Sequence, residues 1–259
     1  MEQSFDTMLT PVATYPMHAL IKEEAKDQNQ MVSLEPLRIL KFFATIIVTL
    51  FTISFLFILV QTYFGIESKG FDKLHRLFNL NKESNIPTLF SSVQLLIASI
   101  ILFYLYTIDV VKRGYWLFLS IVFLMLCIDE TAQIHELLNG LKTRVEILNQ
   151  SSLLHVWVYP YLLLVIFLGV ILSKFIFQLP FKTRNLLILS GVIFVGGAVG
   201  MEMLQEQVKI FYGGAESLLE KFLYCLEETC EMAGVAIFNY SLIGLIETKK
   251  ISLKIKLQK

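Results

Sequence analysis

Apolar residues in this chain fall in long, nearly uninterrupted runs, not in the spacing of a surface helix or the alternation of a half-buried strand. A membrane-crossing helix needs about 20 mostly apolar residues to cover roughly 30 Å of hydrocarbon. Six runs meet that length: Leu37 to Tyr63, Thr88 to Thr107, Tyr115 to Glu136, Val156 to Phe177, Asn185 to Glu206 and Leu219 to Leu245. The pattern predicts an all-α, multi-pass transmembrane bundle of about six spans, because a helix satisfies its own backbone in lipid. Residues 1–36 read as a polar N-terminal tail without the apolar core of a signal peptide, and 247–259 as a basic C-terminal tail. The third, fifth and sixth runs reach spanning length only by taking in acidic residues at one end.

Composition agrees with this class. Of 259 residues, 55% are hydrophobic and 17% charged, with a mean hydropathy of +0.64. Soluble domains are about 45–50% apolar and about 25% charged. The charges are too few to coat a water-facing globule, which excludes a disordered chain and a soluble enzyme with one apolar core. Lys and Arg (22) balance Asp and Glu (22), so membrane lipids are the expected surroundings and nucleic acid is not an expected partner. The bundle is compatible with self-association. Cys127, Cys225 and Cys230 all lie in apolar segments, and the last two are five apart on one helix, so no disulfide framework is expected.

Orientation follows from the basic residues. The N-terminal tail, second and fourth loops and C-terminal tail hold 14 of the 22, including Lys112, Arg113, Lys182, Arg184 and the run from Lys249 to Lys259. That bias places both termini in the cytoplasm. Tyr104, Tyr106, Tyr115 and Trp116 would form the inner aromatic belt, with Trp157, Tyr159 and Tyr161 opposite. Asp109, beside Lys112 and Arg113, reads as an inner-face anchor.

In this topology the acidic ends of three spans share one side. The third carries Asp129, Glu130, Gln133, His135 and Glu136, the fifth Glu202, Gln205 and Glu206, and the sixth Glu220, Glu227, Glu228 and Glu231. The second span opens there with Glu83, Asn85, Pro87, Thr88, Ser91, Ser92 and Gln94, and the fourth with His155. At about 1.5 Å of rise per residue, Asp129, Glu202 and Glu231 stand about 20, 24 and 22 Å above the inner ends of their spans. Glu136, Glu206 and Glu227 form a second layer at about 28–30 Å, with His135 beside it. Asp129, Gln133 and Glu136 would share one helix face, as would Glu202 with Glu206, and Tyr224 with Glu227, Glu231 and Gly234. These layers read as the walls of one pocket. Glu130, Glu220 and Glu228 read instead as interfacial residues wetted by headgroup water. His75 reads as an ordinary loop residue, and GGAVG at 196–200 as a small-residue stripe that lets a helix approach beneath the pocket.

Clustered carboxylates at bilayer depth need counter-charge from a cation, shared protons or basic partners, and nearby basic residues are few. A divalent metal ion is the expected cofactor, with Asp129, His135, Glu136, Glu202, Glu206, Glu227 and Glu231 as candidate ligands. Asp129, Glu136 and Glu231 are the candidate catalytic groups. Carboxylate-rich bundles suit di-iron or di-manganese, but the Glu-x-x-His pair of that chemistry is missing here. Zinc with an open water position, or Mg²⁺, Mn²⁺ or Ca²⁺ on oxygen ligands, fits as well. The expected function is a metal-dependent membrane enzyme, hydrolase or oxidoreductase, on a lipid or lipid-linked substrate. A proton- or cation-coupled transporter and a non-enzymatic sensor or assembly protein are the alternatives. The inner halves of the spans offer only Thr, Ser and Asn, such as Thr45, Thr49, Ser120, Ser190 and Asn239, so no conduit to the inner face is expected.

FNLNKESNIPTLFSS at 78–92, IDETAQIHE at 128–136, GAVGME at 197–202 and LEETCEMAG at 226–234 resemble motifs of a family of uncharacterised bacterial six-span integral membrane proteins. The resemblance spans residues 37–245. It implies the six-span architecture and a bacterial inner-membrane location, and nothing about a reaction.

Overall fold

The computed structural model describes residues 35–65, 68–134, 158–213 and 217–257. Among these the chain is helical and contains no strand: α1 (Pro36–Phe64), α2 (Lys69–Phe78), α3 (Ile86–Ile108), α4 (Arg113–Ala132), α5 (Val158–Phe177), α6 (Phe181–Phe211) and α7 (Leu218–Leu257). Helices α1, α3, α4, α6 and α7 are each long and apolar enough to cross a membrane. The remaining expected span appears as α5, apolar over Leu162–Phe177. Outward-facing side chains are large and apolar, among them Val48, Leu89, Ile100, Leu163 and Val170. Such a surface matches lipid as its solvent. On α1 the hydroxyls of Thr45, Thr49 and Thr52 each donate to the carbonyl one turn back, at 2.7–2.8 Å, and need no further partner in hydrocarbon.

Helix α7 is central, packing against α1, α3 and α6, while α3 pairs along its length with α4. Two apolar clusters divide the core. Near the chain's acidic end, Phe43, Ile47, Leu50 and Ile58 of α1 meet Cys225, Met232 and Ala236 of α7. Toward the other end, Leu102, Leu105, Trp116, Leu119, Phe175, Leu242 and Leu245 form a second layer across α3, α4, α5 and α7.

Trp116 is fully buried, which corrects its assignment to the aromatic belt. Its indole N–H donates to Asp109 at 2.9 Å and its ring meets Phe175 edge-on at 4.7 Å. Those two contacts draw it into the bundle. Asp109 also accepts from Lys249 Nζ at 2.6 Å, so the anchor joins the α3–α4 turn to the far end of α7. All three cysteines are free thiols, as expected. Trp157 lies outside the described residues, as do the side chains of Tyr159 and Tyr161.

Glycine matters where α6 crosses α7. A Cβ on Gly197 would stand 2.8 Å from the Cys230 Cβ and 3.0 Å from the Glu227 carbonyl, and one on Gly234 would stand 2.8 Å from the Phe194 Cβ. The expected close approach is real, though within the stripe it falls on Gly197, since Gly196 and Gly200 face open space. Gly197→Ala is expected to destabilise the protein by about 1–3 kcal/mol, because the obstruction includes backbone that cannot swing away. Thermal unfolding in detergent reads this, with Gly200→Ala as the near-neutral control.

Candidate functional site

Asn85 sets the site's geometry by turning the chain into α3. Its side-chain oxygen accepts from the main-chain N–H and the hydroxyl of Thr88, both at 3.1 Å. Its amide group serves the carbonyls of Arg76, Asn79 and Lys82 at 3.3, 2.7 and 2.6 Å. One buried side chain thus caps α3 and ties it to the end of α2. Pro87 in the first turn completes the predicted helix start.

Helix α2, read as loop in the sequence, begins at Ser68, whose hydroxyl accepts from the Phe71 N–H at 3.2 Å. Its spacing places Lys69, Lys73 and Arg76 on one face and Phe71, Leu74 and Phe78 on the other. Phe57 of α1 packs against Phe71 at 5.3 Å and stacks on His75 at 5.7 Å. This turns Asp72, His75 and Arg76 toward a cavity of about 1210 Å³ at the acidic end of the bundle.

Every spanning helix that ends in carboxylates contributes to that cavity. Helix α4 supplies Asp129 and Glu130, α6 supplies Glu202, Gln205 and Lys209, and α7 supplies Glu220, Lys221, Tyr224, Glu227, Glu228 and Glu231. Thr88, Ser91 and Leu95 of α3 and residues 79–83 before it close the remaining wall. Gln205 donates to the Glu227 carboxylate, joining α6 to α7 at the wall. Thr131 donates to Ser92 at 3.1 Å and Gln133 to Ser84 at 3.3 Å, joining α4 to the α3 entrance. Along α7, Lys221 stands about 15 Å nearer the helix start than Glu231.

Four of the seven candidate ligands therefore share one cavity: Asp129, Glu202, Glu227 and Glu231. Glu206, half-buried on α6, does not line it. The helix is regular from Glu202 onward, so Glu202 and Glu206 share a side as expected, but the cavity-facing stripe runs through Glu202, Gln205 and Lys209, and Glu206 lies about 100° round from Gln205. His135, Glu136 and His155 lie outside the described residues. The third span also ends earlier than expected. Helix α4 stops at Ala132, and Gln133 takes a left-handed conformation (φ 57°), its N–H closing onto the Asp129 carbonyl at 2.8 Å. Gln133, held by that turn, still lines the cavity together with Asp129, as expected.

Glu130, Glu220 and Glu228, expected at the lipid–water boundary, line the cavity, as does His75. Burial, reinforced by the Lys221 ammonium and opposed by Asp72, holds His75 below the ordinary imidazole range, so it is neutral at pH 7. Among the described lining residues stand nine carboxylates and four Lys or Arg. Among the described residues, no three His, Cys, Asp or Glu groups converge closely enough to hold a metal ion together.

The helices and the one-ended chamber define an α-helical membrane bundle. Residues 42–244 match the family described as Domain of unknown function (DUF8692), and the chain belongs to that family. No curated protein and no solved structure matches it.

Proposed function

We propose that this membrane protein binds a divalent cation in its acidic chamber and uses it, as an enzyme, on a lipid or lipid-linked substrate. The observation that supports this is the charge imbalance among the described residues of the chamber, nine carboxylates against four Lys or Arg with His75 neutral. Five carboxylates in excess, in a cavity between apolar helices, call for bound cations or protons. Since three ligands do not converge among the described residues, the cation is held by one or two carboxylates and keeps part of its water shell. That is the habit of Mg²⁺ and related hard ions. Glu227 and Glu231, one turn apart on α7, are the proposed pair, with Asp129 and Glu202 across the chamber. A metal-bound water would then be the nucleophile for a bond brought in from the bilayer. The orientation that goes with this reading has both termini in the cytoplasm of a bacterial cell and the chamber facing outward.

A proton-coupled carrier is the second reading, favoured by the same scatter of ligands, because separated carboxylates take up protons as readily as metal. Equilibrium dialysis of detergent-purified protein against Mn²⁺, followed by elemental analysis, separates the two. The expected result is about one metal ion per chain, lost in both Glu231→Gln and Glu227→Gln variants. Metal content at the level of a protein-free control would overturn the metal reading and leave protons as the counter-charge.

A further inference from the structure

The polar interior does not stop at the chamber floor. Ser91 and Leu95 line the cavity, and between them on α3 sits Gln94, fully buried. Asn239, also fully buried, faces it from α7 and donates from Nδ2 to the Gln94 main-chain carbonyl at 3.1 Å. Both amide atoms of the Gln94 side chain and the Oδ1 of Asn239 lack a protein hydrogen-bond partner. Several polar groups deeper in the bundle do find partners. Ser99 and Ser120 donate reciprocally to each other's carbonyls at 2.8 and 2.9 Å, and Ser241 donates to the Thr183 carbonyl at 3.2 Å.

We propose that Gln94 and Asn239 form a water-binding site beneath the chamber, which carries its wet interior to the middle of the bundle. The chemistry of the three atoms suits water. Gln94 Nε2 donates, while Gln94 Oε1 and Asn239 Oδ1 accept, and an internal water needs two to four such partners. Charge plays no part, so the site selects for neutral hydrogen-bonding molecules and not for the chamber's cation. Water advances no further, because Leu102, Leu105, Leu242 and Leu245, all buried, close the bundle beyond it. The chamber is then a half-channel with a wet upper part, a neutral polar floor and one apolar seal. Asp109 and Lys249 lie beyond that seal. None of this depends on what occupies the chamber.

Cysteine accessibility tests the proposal in full-length protein reconstituted in vesicles, with Cys127, Cys225 and Cys230 replaced by alanine. N-ethylmaleimide reacts with the hydrated thiolate, so its rate reports water at each position. Gln94→Cys and Asn239→Cys are expected to react within about tenfold of Ser91→Cys, and Leu102→Cys about a hundredfold more slowly. Rates at 94 and 239 as slow as at 102 would overturn the site. A second measurement guards against misfolded cysteine variants. In otherwise native protein, Gln94→Leu with Asn239→Leu removes the orphaned amides. A wet site predicts a melting temperature no higher than wild type, whereas a rise would show that the amides were buried dry. Metal content in the dialysis experiment is read separately, so failure here leaves the chamber's reading standing.

Discussion

Replacing Asn85 with alanine is expected to lower stability by about 3 kcal/mol. Loss of the α3 cap contributes about 1 kcal/mol. The rest comes from the two close hydrogen bonds that Asn85 gives to the carbonyls of Asn79 and Lys82, at about 1 kcal/mol each. Asn85→Asp separates the two contributions. Its carboxylate still accepts from Thr88, but it cannot donate to the carbonyls, so it should fall between alanine and wild type. Thermal unfolding in detergent measures all three proteins. Because Asn85 also holds the end of α2, the alanine variant should release Arg76 and His75 from the chamber wall. Faster proteolysis within residues 69–82 would report this. A melting curve superimposable on wild type would show that the turn is held by other means.

Asp109→Ala is expected to cost about 3 kcal/mol, the lower end for breaking a buried ion pair, because Lys249 is 30% exposed and regains some solvation. The fully buried Trp116 N–H loses its acceptor at the same time. Burial alone would push the Asp109 carboxyl up, but the hydrogen bonds from Lys249 and Trp116 outweigh it and hold the group below the ordinary carboxylate range. A carboxylate lowered on folding stabilises the native state above its unfolded pKa of about 3.9 and ceases to do so as pH falls through its folded value. Wild-type stability should therefore decline below about pH 4 more steeply than that of Asp109→Asn, which keeps a hydrogen-bond acceptor but has no proton to gain. Parallel pH profiles for the two proteins would remove the pair as a source of acid sensitivity.

The spans, their approximate limits and the side on which acid gathers were legible in the chain because each depends on local composition. An apolar run of about 20 residues has few alternatives to a membrane helix, and carboxylates at its end cannot be hidden from view. The Asn85–Pro87 start and the close approach at residues 196–200 were legible for a similar reason: capping and small-residue contacts involve few residues at fixed spacing. Helix phase was legible in part. It brought Gln133 to the cavity beside Asp129, but it did not show that the cavity-facing stripe of α6 runs from Glu202 through Gln205 and Lys209 and passes Glu206 by. The membership of the chamber was decided by tertiary structure. Glu130, Glu220, Glu228 and His75 looked like surface groups because the neighbours of each in sequence do not show what its side chain faces. Only the packing of α2 on Phe57 and of α6 on α7 brings them to one cavity. The same holds for Gln94 and Asn239, separated by 145 positions and joined by one hydrogen bond. Composition determines that a segment leaves water; which polar groups then face one another is a property of crossing helices, whose contacts no local spacing encodes.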